Sequence, residues 1–233
     1  MLSSVARAAL LSACCLPALA FGDPLRVVPV GEYRALSSSA AASFDTVFSV
    51  ALVEALDRTW VRGSAATAAD LVVGEGVDGT VYYRTGTTAL VATEDRALDW
   101  PQLRGEPVCV VAGNPRAAMV KARFGVFPRF YPSAAHALIG LKLGECRAVV
   151  EDARLLEALS VLPEWRRYKR ILPRLPEAEL AFSVEAKEQG LQVEINDLLR
   201  RWESNGRLAE LAQLAIDEVA FQAYVLADTL DCH

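Results

Sequence analysis

Leu103-Arg104-Gly105-Glu106-Pro107-Val108-Cys109-Val110-Val111-Ala112-Gly113-Asn114-Pro115-Arg116 is the stretch on which the fold turns. A glycine turn leads into small and β-branched apolar residues over 107–112, which read as a buried strand. Gly113-Asn114-Pro115 stops that strand, and a helix is predicted from about 116 to 124. Strand, tight stop and helix make one α/β unit, and the segments on either side repeat its grammar.

Downstream come a brief extended piece at Phe130-Tyr131, a helix over 133–144, a buried-type strand over 147–151 and a helix over 153–161. A Pro- and Arg-rich connection then runs through Pro176 to a last strand at 181–186 and helices at 190–202 and 207–228. Upstream, Leu25-Arg26-Val27-Val28-Pro29-Val30 reads as a first strand and 31–39 as a loop. Apolar spacing at Phe44, Val47, Phe48, Ala51, Leu52 and Leu56 predicts a helix that starts behind Ser43 and ends near Asp57. A second strand at 69–74 and an extended segment at 80–93 follow. Strand and helix alternate nearly throughout, so the fold class is α/β, with parallel sheets expected.

The 233 residues are 53% hydrophobic and 23% charged, which excludes a disordered chain. A formal net charge of −5 argues against broad attraction to nucleic acid or anionic lipid. The first 20 residues read as an export signal: Arg7, an apolar run from Ala8 to Leu16, and the small-residue site Ala18-Leu19-Ala20. Leu11-Ser12-Ala13-Cys14 also resembles a lipobox, whose cysteine would be acylated. No later stretch reaches the roughly 18 apolar residues of a membrane span. The expected location is therefore the periplasm. Cleavage after Ala20 leaves Cys109, Cys146 and Cys232, and Cys109 with Cys146 reads either as a disulfide or as two buried small hydrophobes.

Gly74-Glu75-Gly76-Val77-Asp78-Gly79 has the spacing of a dinucleotide-binding glycine motif, but β-prone Thr80-Val81-Tyr82-Tyr83 follows where that motif needs a helix. The glycines read instead as a turn. The only histidines are His136, on a predicted helix face, and His233, so His-based catalysis or a His-rich metal site is not expected. Arg166-Arg167-Tyr168-Lys169-Arg170 reads as a solvated connection. No metal or cofactor is called for.

Several segments in order carry a family likeness: Tyr82-Tyr83-Arg84-Thr85-Gly86, the opening stretch from Leu103 to Gly113, Ser133-Ala134-Ala135-His136-Ala137-Leu138, Ala148-Val149-Val150-Glu151-Asp152, and Asn205-Gly206-Arg207-Leu208. Across residues 82–212 they resemble the family-3 extracytoplasmic solute-binding proteins, the amino-acid receptors of bacterial ABC importers. The resemblance implies the periplasmic binding protein type II fold, two lobes joined by crossing strands with a ligand cleft between them. Residues 1–20 would be the signal peptide, 21–85 with 180–233 the first lobe, and 86–179 the second. In the family, the acid matching Asp152 meets a ligand ammonium and the helix start matching Asn114 to Arg116 meets its carboxylate.

The first lobe looks reduced. Only twelve residues separate Leu56 from Ala69, and Gly76-Val77-Asp78-Gly79-Thr80 stands where the family has its ligand arginine. A bidentate clamp on a carboxylate needs such a residue, so an anionic ligand group would fall to Arg84, to Arg116 or to the helix amides alone. The candidate ligand-binding set is Glu32, Tyr33, Glu75, Gly76, Arg84, Asn114, Arg116 and Asp152. The expected function is capture of a small polar solute by a monomer that serves an ABC permease. Asp70-Leu71-Val72-Val73-Gly74 followed by Tyr82-Tyr83-Arg84 also resembles binding-protein-like accessory proteins of periplasmic quinoprotein dehydrogenases, which implies a dehydrogenase partner instead. A third reading is a dehydratase-like enzyme on the same fold, with carboxylates from Glu32, Glu75 and Asp152.

Overall fold

The computed structural model describes residues 23–39, 41–94 and 98–230. The expected signal peptide, Cys14 of the lipobox, Cys232 and His233 lie outside the described residues. Among the described residues, nine strands form one sheet in the order β2-β1-β3-β9-β4-β7-β5-β6, with β8 added on β4. The strands are β1 Leu25–Val30, β2 Trp60–Arg62, β3 Leu71–Glu75, β4 Thr80–Val91, β5 Pro107–Val111, β6 Phe127–Tyr131, β7 Ala148–Asp152, β8 Arg170–Ile171 and β9 Leu175–Ala186. The helices are α1 Phe44–Ala55, α2 Arg116–Phe124, α3 Ala134–Lys142, α4 Ala153–Ser160, α5 Gln189–Ser204 and α6 Arg207–Leu230.

The expectation of parallel pairing holds in two trios and fails between them. β1 pairs parallel with β2 and β3, and β5 pairs parallel with β6 and β7. In contrast, β9 is antiparallel to β3 and β4, and β4 is antiparallel to β7. The turn 76–79 carries the chain from one side of β9 to the other, so β3 and β4 flank β9, run in the same direction and are both antiparallel to it, and β7 then pairs antiparallel with β4. Gly79 is required there because a Cβ on it would sit 2.1 Å from the Val184 carbonyl oxygen of β9. No helix follows these glycines, because β4 begins at Thr80 and pairs with β9 at once.

β4 and β9, at 12 residues each, run through both trios. The first part of β4 pairs with β9, from Thr80↔Val184 to Thr85↔Leu180, and its last part pairs with β7, from Thr87↔Asp152 to Val91↔Ala148. The register slips between Val81 and Tyr83, two residues of β4 against one step of β9, which is a bulge. It places Tyr82 and Tyr83, adjacent in sequence, both in the interior.

Side chains of the central strands are buried on both faces, as their uninterrupted apolar runs require. One core gathers Leu90, Cys109, Val111 and Val149 with α1, α3, α4, α5 and α6; the other gathers Ala89, Val91, Val108, Val110 and Val150 with Trp100, Leu103 and Val120. In the first, Phe48 of α1 stacks on Tyr82 at 3.8 Å between ring centroids, and Trp202 of α5 meets Phe48 edge-on. α6 buries Leu211, Ala215, Ile216, Val219 and Ala223, and it packs against α1, α3, α4 and α5.

Cys109 of β5 and Cys146 before β7 form a disulfide with Cα atoms 5.6 Å apart, which decides between the two readings of that pair. Its sequence separation of 37 closes a loop containing α2, β6 and α3. In the chain-entropy account such a loop is worth about 3–4 kcal/mol. Replacing both cysteines by alanine should therefore lower the urea midpoint by a corresponding amount, and an unchanged midpoint would show that the bridge does not constrain the unfolded chain.

Candidate ligand-binding site

β1 and β3 run in one direction and β5 and β7 in the other, with β4 and β9 between them. The carboxyl ends of the two trios consequently face each other across the middle of β4 and β9. Ligands of open α/β sheets bind beyond carboxyl ends of strands, and here two such edges are opposed. The groups delivered there are Glu32 and Tyr33 after β1, Glu75 at the end of β3, Asn114 and Arg116 between β5 and α2, and Glu151 and Asp152 at the end of β7.

The opposed edges touch. Gly113 has φ +75, and a Cβ on it would lie 2.6 Å from the Cβ of Glu32 and 2.9 Å from the backbone nitrogen of Tyr33. Only glycine fits both that backbone conformation and that approach. Behind this contact the Tyr33 hydroxyl donates to Glu151 Oε1 in a short hydrogen bond, and Asn114 Nδ2 donates to Oε2 at 3.3 Å. Asn114 Oδ1 in turn accepts from the Arg116 backbone N–H at 2.9 Å, so its side chain joins the α2 start to the carboxyl.

Asp152 is the N-cap of α4. Its Oδ1 accepts from the backbone N–H groups of Arg154 and Leu155 at 2.9 and 3.1 Å, while Oδ2 accepts from the Tyr83 hydroxyl at 2.8 Å. Arg116 spans the two trios: its guanidinium lies 4.0 Å from Glu75 Oε1 and donates to the Glu179 carbonyl, and its Nε is buried without a partner. A parallel arrangement serves β1 and α1. The Tyr82 hydroxyl donates to Asp45 Oδ1 at 2.6 Å, and Arg34 lies 3.8 Å from Oδ2 while donating to the Val30 and Pro29 carbonyls.

Two carboxyls in sequence, Glu151 at 1% exposure and Asp152 at 2%, share this interior. Burial pushes the Glu151 carboxyl up from 4.5 to about 8; the charge of Asp152 acts the same way, and the Tyr33 bond opposes it. Burial also raises Asp152, against the Tyr83 bond and the α4 amides. Asp45 is pushed up to about 6, again by burial, with Tyr82 and Arg34 opposing. Taking two adjacent carboxylates out of water is costly, so the pair favours holding a proton until a cation or further donors arrive. Chemically, the site offers two acids to a cation and, at the α2 start, N–H groups with Arg116 to an anion.

Of the residues singled out from sequence, Glu32, Tyr33, Glu75, Asn114, Arg116 and Asp152 are gathered at these opposed edges. Gly76 stands in the open turn beyond Glu75 with φ +74. Arg84 is elsewhere: it is exposed and lines a groove with α5 and α6. The sequence reading passed over Glu151, Tyr83 and the Tyr82–Asp45–Arg34 set. Glu151 had one signal, an acid closing an apolar strand beside a second acid. Among the described residues, no group of three or more His, Cys, Asp or Glu side chains is placed to hold a metal, and no helix is long and apolar enough to cross a membrane.

No protein-family model matches the chain, and no curated protein sequence matches it. Solved structures do. An amino acid ABC transporter substrate-binding protein, AbpA of Streptococcus pneumoniae, bound to L-arginine, superposes with a TM-score of 0.60 at 16% identity over 85% of this chain and 96% of that one. An ancestral arginine-binding protein bound to arginine gives 0.59 at 16% identity over 83% of this chain and 98% of that one. An ancestral amino acid-binding protein that is a precursor of cyclohexadienyl dehydratase gives 0.58 at 17% identity, with 83% and 95% covered. At these identities the likeness establishes the fold, that of the type II periplasmic binding proteins.

Glu151 supplies a pH test. Its folded-state pKa lies above its unfolded value, so above pH 4.5 the folded chain holds a proton that the unfolded chain releases, and stability falls as pH rises through about 8. Asp45 acts in the same sense between 3.8 and about 6. In Glu151→Gln the melting temperature relative to wild type should become more favourable from about pH 5 to about pH 8 and level off above it. A difference that does not change with pH would contradict the neutral, buried carboxyl.

Proposed function

We propose that this chain is an extracytoplasmic solute-binding protein that captures a small solute carrying an ammonium or guanidinium group and delivers it to an ABC permease. The observation that carries the reading is the convergence of Glu151 and Asp152 with Tyr33, Asn114 and Arg116 from opposed strand ends. Solved structures of the same fold that bind arginine support it. In this reading residues 21–85 with 180–233 form one lobe and 86–179 the other, and the middle of β4 and β9 is the hinge. The solute's cation would replace the tyrosine donors on Glu151 and Asp152, and its carboxylate would take Arg116 from Glu75 and the Glu179 carbonyl. Arg116 would thereby do the work of the arginine missing after the glycine turn.

Entry requires the internal bonds to part, so the apparent affinity is lowered by the fraction of molecules that are open. This cost favours one competing reading, an interaction protein whose lobes stay shut. Besides Tyr33, Asn114 and Arg116, the Ala134 N–H donates to the Ser37 carbonyl, Ser133 Oγ donates to the Ser38 carbonyl, and α6 packs across α1 and α3. Solute titration decides between the two.

L-arginine, putrescine, L-glutamine and L-glutamate should be titrated against the secreted chain. A cationic solute at 100 times its dissociation constant adds about 2.7 kcal/mol, which raises Tm by about 5–10 °C for a chain of this size. Asp152→Asn keeps an N-cap side chain and should cost less than about 1 kcal/mol of stability, yet weaken that solute at least tenfold. If none of the four shifts Tm, the shut interaction protein is the better reading.

A further inference from the structure

Arg84 sits on a second concave surface, separate from the carboxyl pair. On the side of β1, β2 and β3 the sheet runs through β9 to β4 and ends there, because β7 joins β4 only from Thr87 onward. Along this free edge lies a groove of about 450 Å3, floored by Thr80 to Arg84 of β4 and walled by Arg154 of α4, Arg200 of α5 and the first residues of α6. Its size is that of a small-molecule site.

The charge of the groove runs against that of the chain. Three arginines from three elements line it against a single acid, Glu203, in a protein of formal net charge −5. Arg200 is paired with Asp197, but among the described residues neither Arg84 nor Arg154 has a carboxylate within ion-pair distance. Arg154 is not loose, since its guanidinium carbon lies 5.4 Å from the centroid of the Tyr83 ring, which places its planar fork beside the groove floor. Leu208 and Ala209, in the first turn of the 24-residue helix α6, also line the groove, so backbone N–H groups and the positive helix end add to the same field.

We propose that this groove binds a small multivalent oxyanion, a di- or tricarboxylate or a phosphate compound, through Arg84 and Arg154 with support from Arg200 and the α6 amides. Guanidinium forks match the paired oxygens of either group. The groove is a second site beside that for solute capture at Glu151 and Asp152, and Tyr83 belongs to both, its ring beside Arg154 and its hydroxyl on Asp152. Because Arg84 stands on β4, Arg154 on the helix after β7, and Arg200 with α6 on the other side, a bound anion ties these elements together.

Citrate and pyrophosphate are the probes, titrated calorimetrically into the full chain as secreted, with sodium chloride holding ionic strength constant. Saturable one-site binding of either with a dissociation constant below about 1 mM supports the site; citrate alone marks organic acids, and pyrophosphate alone marks phosphate compounds. Arg84→Gln with Arg154→Gln should weaken the bound probe at least tenfold. Arg84→Lys with Arg154→Lys, which keeps charge and solubility, should give a smaller loss. Absence of saturable binding by both probes, or equal affinity in wild type and the glutamine double variant, would overturn the proposal.

Discussion

The antiparallel pairing of β4 with β9 is the constraint on which the rest depends. Each strand is long enough to serve as an edge of one trio and an interior strand of the other, so the two trios share a backbone ladder. That ladder fixes their relative direction and brings their carboxyl ends face to face. The bulge in β4 does the rest locally: by adding one residue it turns both tyrosines inward, Tyr82 to Asp45 and Tyr83 to Asp152. A regular strand would have sent one of them to the opposite face.

The polar interior that results is balanced rather than empty. Glu151 and Asp152 would be prohibitively costly as two bare charges in this setting, and they are kept by hydroxyl, amide and helix-end donors, with burial holding their proton affinity up. The same donors are what a solute would have to displace. In the proposed reading affinity would therefore rest on a difference between internal and external partners of the same groups, and a cation would have an advantage over a neutral donor because it relieves the charge that burial penalises. α6 sets the other side of the balance, since its apolar face covers α1 and α3 together and opposes separation of the elements it spans.

Most helices and the apolar strands were legible in the sequence, because their burial follows local periodicity. α2 begins at Arg116 as its Gly-Asn-Pro stop indicates, and α3 is capped by Ser133, whose side chain accepts from the His136 N–H. Strand direction was not legible at the centre, because it depends on which distant strands are neighbours. β2 and β8 are too short to register against their polar surroundings, and the first part of β9 lies in a proline-bearing segment that reads as a connection. Asn114, Arg116 and Asp152 stand out as strand ends and helix starts. Glu151 did not, because periodicity assigns acids to solvent and only the tertiary partners Tyr33 and Asn114 permit its burial. Arg84 was misplaced for a related reason: no local pattern announces the bulge that redirects the residues after it.

Hydrogen exchange tests the central claim most directly, since it locates a solute as well as detecting it. Backbone amides of Tyr33, Gly76, Arg116, Arg154 and Leu155 would be followed with and without saturating L-arginine. A solute held between opposed strand ends predicts slowed exchange at these amides together, from both trios, with little change in the outer strands β2 and β6. Exchange unaltered at these positions, or slowed in one trio alone, would contradict a site built from both.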